Sequence, residues 1–154
     1  MSAKLTEDYH DFLELLQKHQ VEFLICGGHA VGFYGFLRMT MDFDILINPS
    51  VDNASRLIQC LGEFGFGGVP QLTQEIFEKP GTVFSLGVQP NQIDLMTSMS
   101  SQNTHEIFEN KVEGTLEDFK VQFVSYNDLL RAKREANRLK DQLDIEELLA
   151  INNR

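Results

Sequence analysis

The chain has 154 residues, 42% of them apolar and 12 of them Phe, which suits one folded domain with a buried core and excludes a disordered or fibrous protein. Its 23 Asp and Glu against 13 Lys and Arg give a formal net charge of −10, so most of the surface repels a polyanion and long nucleic acid is a poor partner. No apolar run approaches the roughly 20 residues of a membrane span. The opening MSAKLTEDYH lacks the regions of a signal peptide, and Cys26 and Cys60 have neither CxxC spacing nor a nearby His pair. A cytoplasmic protein with two buried thiols, no disulfide frame and no zinc site is expected.

Thr6, then Glu7 and Asp8, then Phe12, Leu13, Leu15 and Leu16 at helical spacing predict a capped first helix ending near His19. VEFLIC, residues 21–26, is short, apolar and β-branched or aromatic, and reads as a buried strand. Gly27 and Gly28 are expected to turn the chain into HAVGFYGFL, a short helix too apolar all round to lie on the surface. MDFDILIN alternates, so Met41, Phe43, Ile45 and Ile47 share one face of a strand and Asp42, Asp44, Leu46 and Asn48 the other. VDNASRLIQCLGEFG predicts an amphipathic helix with Val51, Leu57, Ile58 and Leu61 inward, ended by glycine.

Residues 65–81 read as mostly loop, with TQEIFEK able to make a helical turn. TVFSLGV and NQIDLMTS read as two strands joined at Gln89 and Pro90, with Asp94 and Met96 opposite Ile93 and Leu95. A weak helix near 105–110 precedes KVEGTLEDFKVQFVS, a strand pair or bulged strand, and SYNDLLRAKREANRLKDQLDIEELLA closes the chain as one broken helix or two, with Ser125 as cap. No linker, repeat or low-complexity segment divides the chain. One domain, 1–154, is expected, with a core at about 21–124 and C-terminal helices at about 126–151.

Two carboxylates on one strand face repel each other, and each is expensive to remove from water unless a cation sits with it. Mg²⁺ is held in nucleotide-dependent enzymes by one or two carboxylates together with substrate phosphates, which suits the Asp42-x-Asp44 spacing, and Asp94 is the natural third ligand or general base. A strand, a Gly-Gly pair and a helix start turn backbone N–H groups toward an anion, and His29 could add a hydrogen bond to phosphate.

The block CGGHAVGFYGFLRMTMDFDILI resembles the signature of the DNA polymerase beta-type nucleotidyltransferase superfamily. Gly27-Gly28, Tyr34-Gly35, Arg38, Thr40 and Asp42-x-Asp44 most resemble the small bacterial subset that includes AbiEii-type toxins and antibiotic nucleotidyltransferases. DLLRAKREANRLKDQLDIEELL resembles that subset's C-terminal helices, with Lys133, Arg138, Lys140, Asp141 and Asp144 at the recurrent polar positions. Many active members carry Ser beside or within the glycine pair, where this chain has His29. The resemblance implies an α/β (α+β) fold, a mixed twisted sheet with packed helices and two helices at the C-terminus. It also implies Asp42, Asp44 and Asp94 as catalytic metal ligands, Mg²⁺ or Mn²⁺ as cofactor, and Gly27 and Gly28 as the phosphate loop.

Arg38 and Thr40 read either as nucleotide contacts or as braces for the helix-to-strand turn. Five of the 13 basic residues, Arg131, Lys133, Arg134, Arg138 and Lys140, crowd into ten positions. They form either a solvated helix face or, through Lys133, a contact to nucleotide phosphate. Asp141 and Asp144 are expected to bond Arg138 or cap the last helix. The function expected is transfer of a nucleoside monophosphate from an NTP to a hydroxyl on a small molecule, an RNA end or a protein, releasing pyrophosphate. The alternative is a degenerate fold that binds a nucleotide or a protein without turnover, for instance in a toxin–antitoxin pair or a homo-oligomer.

Overall fold

A computed structural model describes residues 5–153, so residues 1–4 and 154 of the expected span 1–154 lie outside it. Among the described residues six strands form one mixed sheet in the order β3-β4-β2-β1-β6-β5. They are β1 (Phe23–Ile25), β2 (Asp42–Ile47), β3 (Val83–Leu86), β4 (Gln92–Met96), β5 (Val112–Leu116) and β6 (Phe119–Phe123). The central strand β2 runs antiparallel to β1 and parallel to β4, while β3–β4 and β5–β6 are antiparallel pairs. Among the described residues six α-helices accompany the sheet: α1 (Glu7–Lys18), α2 (Gly27–Phe33), α3 (Val51–Leu61), α4 (Thr104–Glu109), α5 (Tyr126–Ala136) and α6 (Leu139–Asn152). None of the described helices is long and apolar enough to cross a membrane.

Local chemistry sets the helix starts. Thr6 Oγ1 accepts from Tyr9 N at 3.2 Å, Ser50 Oγ from Asn53 N at 3.1 Å and Ser125 Oγ from Asp128 N at 3.2 Å, each cap contributing about 1 kcal/mol. The expected alternation in β2 places Phe43, Ile45 and Ile47 in the core, and α1 covers that face, with the Tyr9 and Phe43 rings 4.8 Å apart. Phe12, Leu13, Leu16, Leu57 and Phe77 join the same buried cluster.

Two local expectations are corrected. Gly27, at φ +63°, turns the chain as expected, but α2 takes in both glycines and stops at Phe33 instead of running on to Leu37, because Gly35, at φ +115°, reverses the backbone there. Val51 is 60% exposed rather than inward, since the residue after the Ser50 cap sits at the tip of α3. Beyond Leu61 the helix runs into a π turn, Gly62–Phe66, and the run is broken at a glycine as expected, Gly65, with φ +107°. TQEIFEK makes a 3₁₀ turn, Gln74–Phe77, that buries Phe77 completely.

Candidate active site

Strand alternation and register together build the site. Asp42 and Asp44 lie two residues apart on β2, so their side chains share a face. The parallel pairing of β2 with β4 sets Asp44 beside Asp94. One carboxylate oxygen from each of Asp42, Asp44 and Asp94 lies within 4.8 Å of the others. The partners of these carboxylates are neutral donors: Ser85 Oγ at 2.6 Å and Gln92 Nε2 at 2.9 Å donate to Asp94, and Gln89 Nε2 at 3.1 Å donates to Asp42.

Burial, reinforced by the charges of Asp94 and Asp42, pushes the Asp44 carboxyl up to about 7. A hard cation among the three would relieve that repulsion, and three carboxylate oxygens are the donor set that Mg²⁺ or Mn²⁺ takes. Because a cation must displace the Asp44 proton, Mg²⁺ affinity is expected to fall about tenfold per pH unit below about 7 and to level off above it. Calorimetric titration of Mg²⁺ across that range checks this, and a flat profile would show that Asp44 is not a ligand.

The carboxylates line a cavity of about 240 Å³. Gly27 is part of its wall, and a Cβ at that position would fall onto the Asp44 carboxylate, so only glycine lets the chain pass there at φ +63°. Opposite stand Lys133 of α5 and Arg138, Lys140 and Asp141 around the start of α6, while Met96, Met99, Leu129, Ala132 and Ala136 make the apolar side. Cys26 closes the floor, its Sγ 3.9 Å from the Met96 sulfur, and burial pushes its thiol well up, so it is an inert neutral wall.

The other expected residues are placed nearby without lining this cavity. Gly28 packs against Thr40, where an added Cβ would come within 2.6 Å of Oγ1. Thr40 Oγ1 donates to the Asp42 carbonyl at 3.0 Å and so fixes the strand start. Arg38 grips Asp144 with two parallel bonds, Nε and Nη2 each 2.8 Å from a carboxylate oxygen. His29 is 5% exposed and packs edge-on against Phe43 at 4.9 Å, and burial, helped by Arg38, holds it neutral at about 4.

Lys133 lines the cavity from within a buried ionic network. Its Nζ lies 2.8 Å from Asp144 Oδ2 and 3.4 Å from Asp141 Oδ1, and Arg138 Nε donates to Asp141 Oδ2 at 2.6 Å. Burial alone would raise the Asp144 carboxyl, but the bonds from Arg38 and Lys133 outweigh it and hold the group below the usual carboxylate range. Asp141 also accepts from the Arg138 backbone N–H at 3.1 Å, which joins the cap of α6 to this network.

Sequence reasoning did not assign Cys26, Met96 and Met99 to the site. Met96 carried a signal, since it shares the Asp94 face of β4; Met99 lies in irregular chain beyond that strand and carried none.

No protein-family model matches the chain, and no curated protein matches it in sequence. Solved structures do. The crystal structure of the lincosamide antibiotic adenylyltransferase LnuA, with lincomycin bound, superposes with a TM-score of 0.61 at 18% identity, over 97% of this chain and 99% of that one. A candidate nucleotidyltransferase from Thermotoga maritima superposes with a TM-score of 0.60 at 12% identity, over 94% of this chain and 91% of that one. The chain has the nucleotidyltransferase fold, with the mixed sheet and paired C-terminal helices that the resemblance implied.

Proposed function

We propose that the chain is a metal-dependent nucleotidyltransferase that moves a nucleoside monophosphate from an NTP to a hydroxyl acceptor. The observation that carries this reading is the convergence of Asp42, Asp44 and Asp94 in a cavity whose far wall is cationic. Asp42 and Asp44, with Asp94 as third ligand, would hold Mg²⁺ or Mn²⁺, which when bound neutralises phosphate charge and polarises the reacting oxygens.

The acceptor oxygen attacks the α-phosphorus, the bond to the β-phosphate oxygen breaks, and pyrophosphate leaves. Asp94, which accepts from Ser85 and Gln92, would take the acceptor's proton. Lys133, Arg138 and Lys140 face the path of the triphosphate, and Lys140 is the exposed cation of the three that no acidic side chain holds among the described residues. Gly27 keeps the wall beside Asp44 thin enough for a phosphate to approach. Gly28, Thr40 and Arg38 support these groups from behind, and His29 has no part in gripping nucleotide in this reading. Positioning and charge neutralisation supply most of the catalysis.

A small hydroxyl-bearing molecule is the favoured acceptor, because 97% of the chain superposes on 99% of a lincosamide adenylyltransferase. The test is pyrophosphate release from ATP, GTP, CTP and UTP with Mg²⁺ or Mn²⁺, offered lincomycin and other small hydroxyl compounds, an RNA 3′ end and a protein acceptor. Release that needs both metal and a small acceptor is the expected result. Binding of NTP without release for any acceptor class would favour the binding module, in a toxin–antitoxin pair or otherwise.

A further inference from the structure

The β3–β4 hairpin carries Asp94 and also supplies the neutral donors around the carboxylates. Ser85 on β3 stands across the ladder from Asp94, and Gln92, two residues before Asp94 on β4, shares its face. Ser85 Oγ and Gln92 Nε2 both donate to one oxygen, Asp94 Oδ1, at 2.6 and 2.9 Å, and Asp94 Oδ2 has no donor among the described residues. From the turn between the two strands Gln89 Nε2 holds Asp42 in the same way, through Oδ1 at 3.1 Å. No Lys or Arg is paired with Asp42, Asp44 or Asp94 among the described residues.

A lysine or arginine bonded to these acids would offset their repulsion by taking a cation's place. A hydroxyl or a carboxamide instead fixes an oxygen and leaves the negative charge for an ion to meet. Donors on both oxygens of Asp94 would compete with an ion. Two donors on the same oxygen stop the carboxylate from turning and keep the second oxygen for it. Ser85 is exposed and Gln92 half-buried, so neither serves to fill the core.

We propose that Ser85 and Gln92 are positioning residues that grip Asp94 through Oδ1 and so present Oδ2 to a divalent ion as a single-oxygen ligand. This deepens the metal reading and rests on it. The test titrates Mn²⁺ alone, without nucleotide, into the full chain while the electron paramagnetic resonance signal of free Mn²⁺ is followed, with the Asp42→Asn, Asp44→Asn double variant as the blank. Affinity should fall about 10–100-fold when Ser85→Ala is combined with Gln92→Met, and part of that loss should appear in Ser85→Ala alone. Ser85→Thr keeps the hydroxyl and should keep the affinity, while Ser85→Ala should melt like the wild type without metal, which separates positioning from folding. Equal or tighter Mn²⁺ binding in the folded Ser85→Ala, Gln92→Met variant, or a loss in Ser85→Thr as large as in Ser85→Ala, would overturn this proposal and leave the metal reading standing. A wild-type chain that takes up no more Mn²⁺ than the blank would overturn both.

Discussion

Asp44→Asn is expected to leave a protein that is more stable without metal and inactive with it. The carboxyl is held up at about 7 by burial and by Asp94 and Asp42, so its ionised form is disfavoured in the folded chain. The sign follows from linkage. A carboxyl with a raised folded pKa does least harm below its unfolded value of about 4, and stability is lost as pH rises from there toward about 7. The amide removes the repulsion at neutral pH and keeps the shape, so the metal-free variant should gain about 1–2 kcal/mol, or about 2–8 °C in melting temperature. Turnover should fall about 10³-fold or more, because several kcal/mol of phosphate charge stabilisation goes with the metal. Thermal melts with and without Mg²⁺ check both halves: the wild type should gain stability from Mg²⁺, whereas the variant should start higher and gain nothing. A variant that melts lower without metal would show that Asp44 is a structural partner instead.

Asp144→Ala should have the opposite character, a large loss of stability. Asp144 is 1% exposed and joins Arg38, from the turn before β2, to Lys133 on α5 while sitting on α6 itself. Removing it leaves a lysine that is 7% exposed with only the longer contact to Asp141, and an arginine with no other carboxylate partner among the described residues. Such an uncompensated buried charge costs about 3–5 kcal/mol. That corresponds to a fall of about 6–20 °C in melting temperature. Replacing the pair together, Lys133→Met with Asp144→Leu, should recover much of the loss, since the desolvation of both charges disappears with them. Chemical denaturation of the two variants decides the matter. If Asp144→Ala lost less than about 1 kcal/mol, the network would be no more than a surface pair.

The features that repeat along the chain were legible in it. Period-two alternation put Asp42 and Asp44 on one face of β2 and Asp94 opposite Ile93 on β4, and the parallel register then joined the two strands. Thr6 and Ser125 announced their helices because capping is a contact between residues three apart. What stayed hidden depends on contacts far apart in sequence. Arg38 meets Asp144 across 106 positions, so its choice between phosphate and a structural partner could not be read locally. His29 turns inward because Phe43 and Tyr9 from other elements pack around it, and nothing in the residues beside the glycines indicated that. The break at Gly65 was legible as the glycine that closes the helical run, whereas the π turn from Gly62 was not, because the apolar spacing reads the same through it.

The central claim is that the three carboxylates hold the metal through which a nucleotide binds. Calorimetric titration of ATP, GTP, CTP and UTP, with and without Mg²⁺, into the wild type and into an Asp42→Asn, Asp44→Asn double variant tests it most directly. The predicted result is binding of at least one NTP that requires Mg²⁺ and is lost in the folded double variant. Failure of every NTP to bind well-folded wild-type protein, or binding that neither needs metal nor changes in the variant, would contradict it.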